Sequence, residues 1–368
     1  MATWYNLENV DQLDSPALVI YTARVAENIQ RLIHSIDDIT RLRPHVKTHK
    51  SAEITRMLLD TGITKFKCAT IAEAEMLASA GVPDVLLAYQ PIGPKAKRVA
   101  ELSMAYGNTR FSCLIDHAKT AQDLSEIFLD KNRYTNVYID VNVGMNRTGI
   151  VPSEAYALWE TCQSFAGINI AGLHVYDGHL RDPDFQVRTR QCDAAFAEVE
   201  TLQKNINLKS KTALEIVAGG TPTYPIHAKR QNIECSPGTF IYWDKGYQQI
   251  LPEQDYLHAA VVISRVISKP TADSICVDLG HKSIAAENPL PLRVHFLNAP
   301  DAEPIGQSEE HLVLKIKPPD QFNVGDVLYG IPYHVCPTVA LYDRTAVAEG
   351  NKIIGYWNTL SRNRMISI

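Results

Sequence analysis

At 368 residues, with 45% apolar and 21% charged side chains, the chain has globular composition and room for a large barrel plus a second domain. A formal net charge of −5 without a long basic run argues against a nucleic-acid partner. No stretch reaches the ~18–20 apolar residues of a spanning helix, so no membrane role is expected.

The start, MATWYNLENVDQLDSP, is polar and acidic and lacks the apolar core of a secretory signal. Seven cysteines, at positions 68, 113, 162, 192, 235, 276 and 336, are an odd number without framework spacing. That fits reduced thiols in a cytoplasmic protein. After a segment over residues 1–16, residues 17–21 read as a strand able to join either domain. Short β-branched runs then alternate with amphipathic stretches. Strands are expected at 42–47, 65–69, 85–88, 111–115, 137–141, 170–174 and 214–217, with a weak eighth at 233–235. Helices are expected at 72–80, 96–104, 118–128 and 194–204. This is the count of a (β/α)8 TIM-type barrel over residues 17–245, in the α/β class. No GxGxxG follows the first strand, which disfavours a doubly wound sheet. From residue 246 to 368 helical periodicity largely disappears, and strands separated by Pro, Gly and Asp turns predict a mainly β domain.

In such a barrel, reactive residues sit at the C-terminal ends of the strands. The polar motifs RPHVKTHK, DVNVGMNRTG, GLHVYDGH and AGGTPT fall there. Lys47, flanked by His45 and His49, reads as an amine nucleophile among cationic neighbours, although a lone lysine at a strand end is ordinarily just solvated. Gly219, Gly220 and Thr221 form a turn that lets backbone approach an anion, or else a plain loop. Ser236-Pro237-Gly238-Thr239 follows the eighth strand, and barrel phosphate sites favour the loops after strands seven and eight. Arg147, in a glycine-bracketed loop, serves either an ion pair with a barrel carboxylate or an anionic ring oxygen. His334 and Cys336, at i and i+2 on an extended segment, would face one way as N and S ligands, favouring zinc. A buried thiol beside a hydrogen-bonded imidazole is the other reading. His281-Lys282 and Ser308-Glu309-Glu310-His311 are either solvated turns or reach a partner subunit's site.

Nearly end to end, LDSPALVIY, RPHVKTHK, KCATIAEAEML, DVNVGMNRTG, GLHVYDGH, AGGTPT, CSPGTF, GQSEEH and HVCPTVALYD resemble the metal-activated D-threonine aldolase and D-serine dehydratase family. Its members depend on pyridoxal 5'-phosphate (PLP) and share the fold of alanine racemase. RPHVKTHK with the late HVC is the specific part; MNRTG is shared with racemases. The resemblance implies that Lys47 carries PLP as a Schiff base, that Arg147 faces its phenolic oxygen, and that Tyr176 lies against the cofactor. Gly219, Gly220, Thr221, Gly238 and Thr239 would surround the phosphate. His334 and Cys336 would hold a divalent metal, Zn or Mn, near the substrate's β-hydroxyl, with His179 assisting proton movement. It also implies a homodimer with the active site at the subunit interface and a small D-amino acid as substrate. The wording of the chain is most similar to low-specificity D-threonine aldolases, which release glycine and an aldehyde. The Cys336 ligand is instead the partner found in the dehydratases, so β-elimination from D-serine is the alternative. Racemisation would need a second proton donor, and a non-catalytic PLP carrier would need neither the β domain nor the His334/Cys336 pair.

Overall fold

The computed structural model describes residues 3–210, 213–318 and 321–368; residues 1 and 2 of the opening segment lie outside it. Contacts divide the chain into two compact units, each discontinuous in sequence. One comprises residues 33–47, 52–238 and 363–368; the other comprises 1–32, 48–51 and 239–362. This differs from a division into 17–245 and 246–368, because β1 (Ala17–Tyr21) pairs with strands from the C-terminal third. The helix after it, α1 (Thr22–His34), runs across the boundary.

The first unit is the barrel. After α2 (Ala52–Leu59) it alternates β2 (Lys65–Cys68), α3 (Ile71–Ser79), β3 (Asp84–Leu87), α4 (Pro94–Ala105), β4 (Arg110–Ile115), α5 (Ala118–Leu129) and β5 (Thr135–Val141). It continues through α6 (Pro152–Cys162), β6 (Ile168–Val175), α7 (Phe185–Asn207), β7 (Glu215–Ala218), the short α8 (Tyr224–His227) and β8 (Ile233–Cys235). β2 to β8 form one parallel sheet in sequence order. Strands such as β3, DVLL, are buried throughout, as a parallel sheet covered on both faces requires. Helix starts follow their caps: the Thr70 hydroxyl accepts from the Glu73 N–H, and the Glu73 carboxylate accepts from the Ala69 N–H.

The expected first strand, 42–47, is not continuous. It closes the ring by two parallel bridges, Leu42 to Cys235 and His45 to Lys67. Pro44, which has no N–H to give to a ladder, sits between them. Below the bridges, the fully buried Arg43 guanidinium donates to Glu234 (2.6 Å) and Asp84 (2.7 Å). Asp84 and Glu234 are further paired with Arg110 and Lys65. The floor of the barrel is therefore tied by a buried ion network.

The second unit begins its C-terminal part with α9 (Lys245–Ile250), then β9 (Ala260–Thr271), β10 (Ser274–Val277), β11 (Val294–Phe296), β12 (Glu303–Gln307) and β13 (Leu312–Lys315). β14 (Val327–Pro332), α10 (Val335–Val339), β15 (Arg344–Glu349) and β16 (Lys352–Asn358) complete it. The sheet order is β12-β13-β10-β9-β1-β15-β16, with β14 joining β9 to β11. β1 lies antiparallel to β9 (Val19 opposite Val261) and parallel to β15 (Val19 opposite Ala346). Its residues 18–21 are buried, and Val19 and Tyr21 pack with Val261, Ile263, Ile331 and Ala346. Among the described residues, no helix is long and apolar enough to cross a membrane.

Candidate active site

The residue after β6, Tyr176, presents its ring to three cations in the barrel unit. Lys47 Nζ lies 5.8 Å from the ring centroid, Lys67 Nζ 5.6 Å and the Arg147 guanidinium carbon 4.9 Å, all within cation–π range. The loop carrying Arg147 is shaped by its own polar groups. Asn142 Oδ1 accepts from the N–H groups of Gly144 and Asn146, both at 3.1 Å, and Asp116 accepts from the Gly149 N–H at 3.0 Å. His179 is exposed beside this loop, its Nε2 3.1 Å from where a Cβ on Gly144 would lie.

Behind Tyr176 stands a chain of buried groups that lie within the motifs KCATIAEAEML, DVNVGMNRTG and GLHVYDGH but receive no role from them. His174 Nδ1 donates to Asp140 (2.7 Å), and Lys67 Nζ donates to His174 Nε2 (3.5 Å). Burial, opposed by the Asp140 hydrogen bond, lowers the pKa of His174 and keeps it neutral. Burial first, then the charge of Lys47, lowers the Lys67 amine to about 7. The cationic flank expected from His49 is absent: burial pushes that imidazole down to about 3, so it is neutral. The neighbouring charges of this unit come from other strands. The three residues carry no spacing motif because they belong to β2, β5 and β6. Their signal is polar side chains interrupting apolar runs in KFKC, YIDV and GLHV.

Gly219 adopts φ +73, a left-handed value open to glycine, and a Cβ there would lie 2.7 Å from the His227 ring. A Cβ on Gly220 would lie 3.0 Å from the Tyr176 ring, so the turn abuts Tyr176. Thr221 Oγ1 accepts from the Gly238 N–H at 3.1 Å, joining the two expected phosphate loops. Next to Pro237, the buried Ser236 hydroxyl has no hydrogen-bond partner among the described residues. A glycine turn, an orphan hydroxyl, an adjacent aromatic face and a nearby amine fit PLP. Thr239 falls in the other unit, where its hydroxyl is 3.9 Å from Cys336 Sγ.

Under this turn lie Asp177, Cys192 and His227, the one group of three potential metal ligands within 4.8 Å of one another among the described residues. Hydrogen bonds account for it. His227 Nε2 donates to Asp177 (2.8 Å), Thr223 donates to Asp177 (2.6 Å), and the Gly220 N–H donates to Thr223 (3.3 Å). His227 Nδ1 is buried without a partner among the described residues, whereas a metal-bound histidine gives its other N–H to an acceptor. We assign the cluster as the brace of the Gly219–Gly220 turn.

His334 and Cys336 meet by a different geometry from the expected extended segment. His334 is extended, but it is the N-cap of α10, and Cys336 lies in that helix's first turn. The imidazole nonetheless hydrogen-bonds Cys336, while its Nδ1 donates to Glu287 at 2.5 Å. Burial lowers its pKa, but the Cys336 sulfur, Glu287 and Asp244 outweigh this and hold it up at about 9. Thr48 Oγ1 lies 3.2 Å from Cys336 Sγ. Nitrogen and sulfur donors, with a carboxylate on the other ring nitrogen, fit a soft divalent metal. Glu287 lies far from the HVC motif in sequence and carries no signal of its own. The unassigned turns pack on one another: the Lys282 N–H donates to the Glu309 carbonyl and its ammonium pairs with Glu309 and Glu310, while the His281 N–H donates to Ser308.

The family described as "Alanine racemase, N-terminal domain" matches residues 20–245, and "Putative serine dehydratase domain" matches residues 259–348. The chain is 27% identical over 364 residues to a D-threonine aldolase of Arthrobacter sp., covering 95% of this chain and 93% of that one. It is 23% identical over 372 residues to a 3-hydroxy-D-aspartate aldolase of Paracoccus denitrificans, covering 96% and 93%. A crystal structure of D-threonine aldolase from Filomicrobium marinum matches with a TM-score of 0.85 at 25% identity, over 98% of each chain. With the first match spanning more than half of its residues, the chain belongs to the alanine racemase N-terminal domain family, joined here to a serine dehydratase-type C-terminal domain.

Proposed function

We propose that the chain is a lyase, dependent on PLP and a divalent metal, that cleaves β-hydroxy-D-amino acids by a retro-aldol route to glycine and an aldehyde. The observation that carries this reading is the convergence of Lys47 and Arg147 on the Tyr176 ring beside the Gly219–Gly220 turn. Near full-length likeness to two aldolases of such substrates supports the reaction.

When bound, PLP supplies an electron sink for breaking a bond at the substrate's Cα. Lys47 would hold the cofactor through its Nζ, Arg147 would donate to its anionic ring oxygen, and Tyr176 would lie against it. Gly219, Gly220, Thr221, Gly238 and Thr239 receive the phosphate. His334 and Cys336 would hold Zn or Mn, which would supply a Lewis acid for the β-hydroxyl. His179 takes the hydroxyl proton. The working protein is a cytoplasmic homodimer in this reading, and its seven free thiols agree with a reducing compartment.

A second reading, β-elimination from D-serine, is favoured by Cys336 as ligand and by the match of residues 259–348 to a putative serine dehydratase domain. The deciding experiment supplies D-threonine and D-serine to PLP-loaded protein with and without Mn or Zn. Metal-dependent acetaldehyde and glycine support the aldolase, and pyruvate from D-serine alone selects the dehydratase. Absence of product from either substrate, with both cofactors bound, refutes the lyase reading. Sedimentation of the same preparation tests the dimer.

A further inference from the structure

Lys67 does not belong among the lysines that coat a protein surface. It is 2% exposed in β2, and its stem runs beside the segment that ends in Lys47. The Val46 N–H donates to the Lys67 carbonyl and the Lys67 N–H to the Pro44 carbonyl, both at 2.9 Å. Lys67 is thus paired with His45, two residues before Lys47, and both amines finish within 6 Å of one aromatic ring. The Lys67 amine is held by a neutral imidazole that a carboxylate orients, the arrangement that sets up a proton carrier.

We propose that Lys67, seated on the His174–Asp140 pair, is the proton carrier for Lys47: it takes the proton that the Lys47 ammonium must lose before bonding a carbonyl carbon. The inference rests on the assignment of Lys47 as the PLP-binding amine. The proton count closes. Lys47 gives one proton to Lys67, and its nitrogen then forms the C–N bond. The carbonyl oxygen departs as water, receiving that proton back from Lys67 and a second from the Lys47 nitrogen, with no net proton gained or lost. The charged and titratable groups around the Lys67 amine include Lys47, Asp177, Asp140, Arg43, His174 and Tyr176. Burial and the Lys47 charge bring Lys67 to about 7, so near neutral pH it both accepts and returns a proton. A lysine kept fully protonated would do neither.

The test is the rate of capture of PLP by cofactor-free protein between pH 6 and 9. Borohydride reduction followed by peptide mass mapping locates the modified lysine, so no turnover is needed. Two variants are compared, K67M and K67R. Arginine keeps the charge and reach but does not give up a proton, so it rescues a role in packing or charge and not one in proton transfer. Capture at Lys47 slowed by about 10²-fold at pH 7 in both variants, the lower range for general acid–base assistance, supports the proposal. K67M removes a buried amine without adding a charge and decides the matter if K67R fails to fold. Capture by K67M at the wild-type rate and with the wild-type pH dependence overturns the proposal and leaves the assignment of Lys47 standing. Rescue by K67R of a slow K67M also overturns it. Failure of the wild-type protein to be labelled at Lys47 overturns the functional reading itself, and this inference with it.

Discussion

Replacing Gly219 by alanine separates two costs that usually arrive together. At φ +73, an alanine incurs about 1–2 kcal/mol of backbone strain. Its Cβ would also lie 2.7 Å from His227 Cδ2 and 2.9 Å from Thr223 Oγ1. Neither atom is the end of a loose side chain, because both residues are hydrogen-bonded to the buried Asp177. Overpacking of this kind adds roughly 1–3 kcal/mol, so G219A is expected to cost about 2–5 kcal/mol. Gly81 supplies the control: φ is +86 and nothing lies within 4 Å of its Cβ, so G81A carries the strain of about 1–2 kcal/mol alone. Urea unfolding of both variants, followed by tryptophan fluorescence, measures the difference. PLP titration of G219A should also show weaker binding by tenfold or more, since 1.4 kcal/mol lost at the turn corresponds to that factor. Equal destabilisation of G219A and G81A, with unchanged PLP affinity in G219A, would refute the view that the Asp177–His227–Thr223 cluster braces a cofactor turn.

Three further predictions follow from single contacts. Lys47→Ala should abolish both borohydride-fixed PLP and turnover, read by mass spectrometry and product assay, whereas retention of fixed cofactor would move the assignment to another lysine. Glu287→Gln removes the carboxylate from His334 Nδ1 and should weaken Zn or Mn binding by about 10–100-fold in a direct metal titration; unchanged affinity would show that the pair does not bind metal. His258 is held neutral by burial, which pushes its pKa down to about 4 against an ordinary 6.5 despite its hydrogen bond to the Trp243 carbonyl. With the folded value depressed, the unfolded chain binds the proton first, so stability is full above pH 6.5 and falls by about 3 kcal/mol towards pH 4. In His258→Gln that part of the acid slope should disappear from denaturant midpoints measured between pH 7 and 4.

The barrel was legible in the sequence because parallel strands covered on both faces read as short apolar runs, and β3 to β7 fall close to the expected positions. The first strand was less so: Pro44 reduces it to two bridges, which no propensity for the run 42–47 discloses. Lys47, Arg147, Tyr176 and the Gly219–Gly220 turn were legible because they sit in motifs at strand ends, and the structure brings those residues together. Lys67, His174 and Asp140 were hidden by the same architecture. Residues on three different strands meet only through barrel closure, so their separation in the chain carries no period. Glu287 was invisible for a related reason, since a carboxylate that orients a ligand from a distant loop needs neither spacing nor neighbours. The sequence left β1 free to join either domain because its run ALVIY is apolar throughout, and its pairing with β9 and β15 resolves that choice.

The position of β1 sets an order of events during synthesis. Val261 and Ala346, which flank Val19, are made long after it. At roughly 5–20 residues per second, that strand waits on the order of tens of seconds with Leu18, Val19 and Ile20 unburied while the barrel segments emerge. The barrel can therefore form on the growing chain, whereas the β-rich unit closes only after the last strands are out. A chain begun after Tyr21 would leave β9 and β15 with facing open edges, the kind of surface that pairs with other molecules. In a cell, the yield then depends on whatever shields Leu18, Val19 and Ile20 until β9 and β15 have emerged.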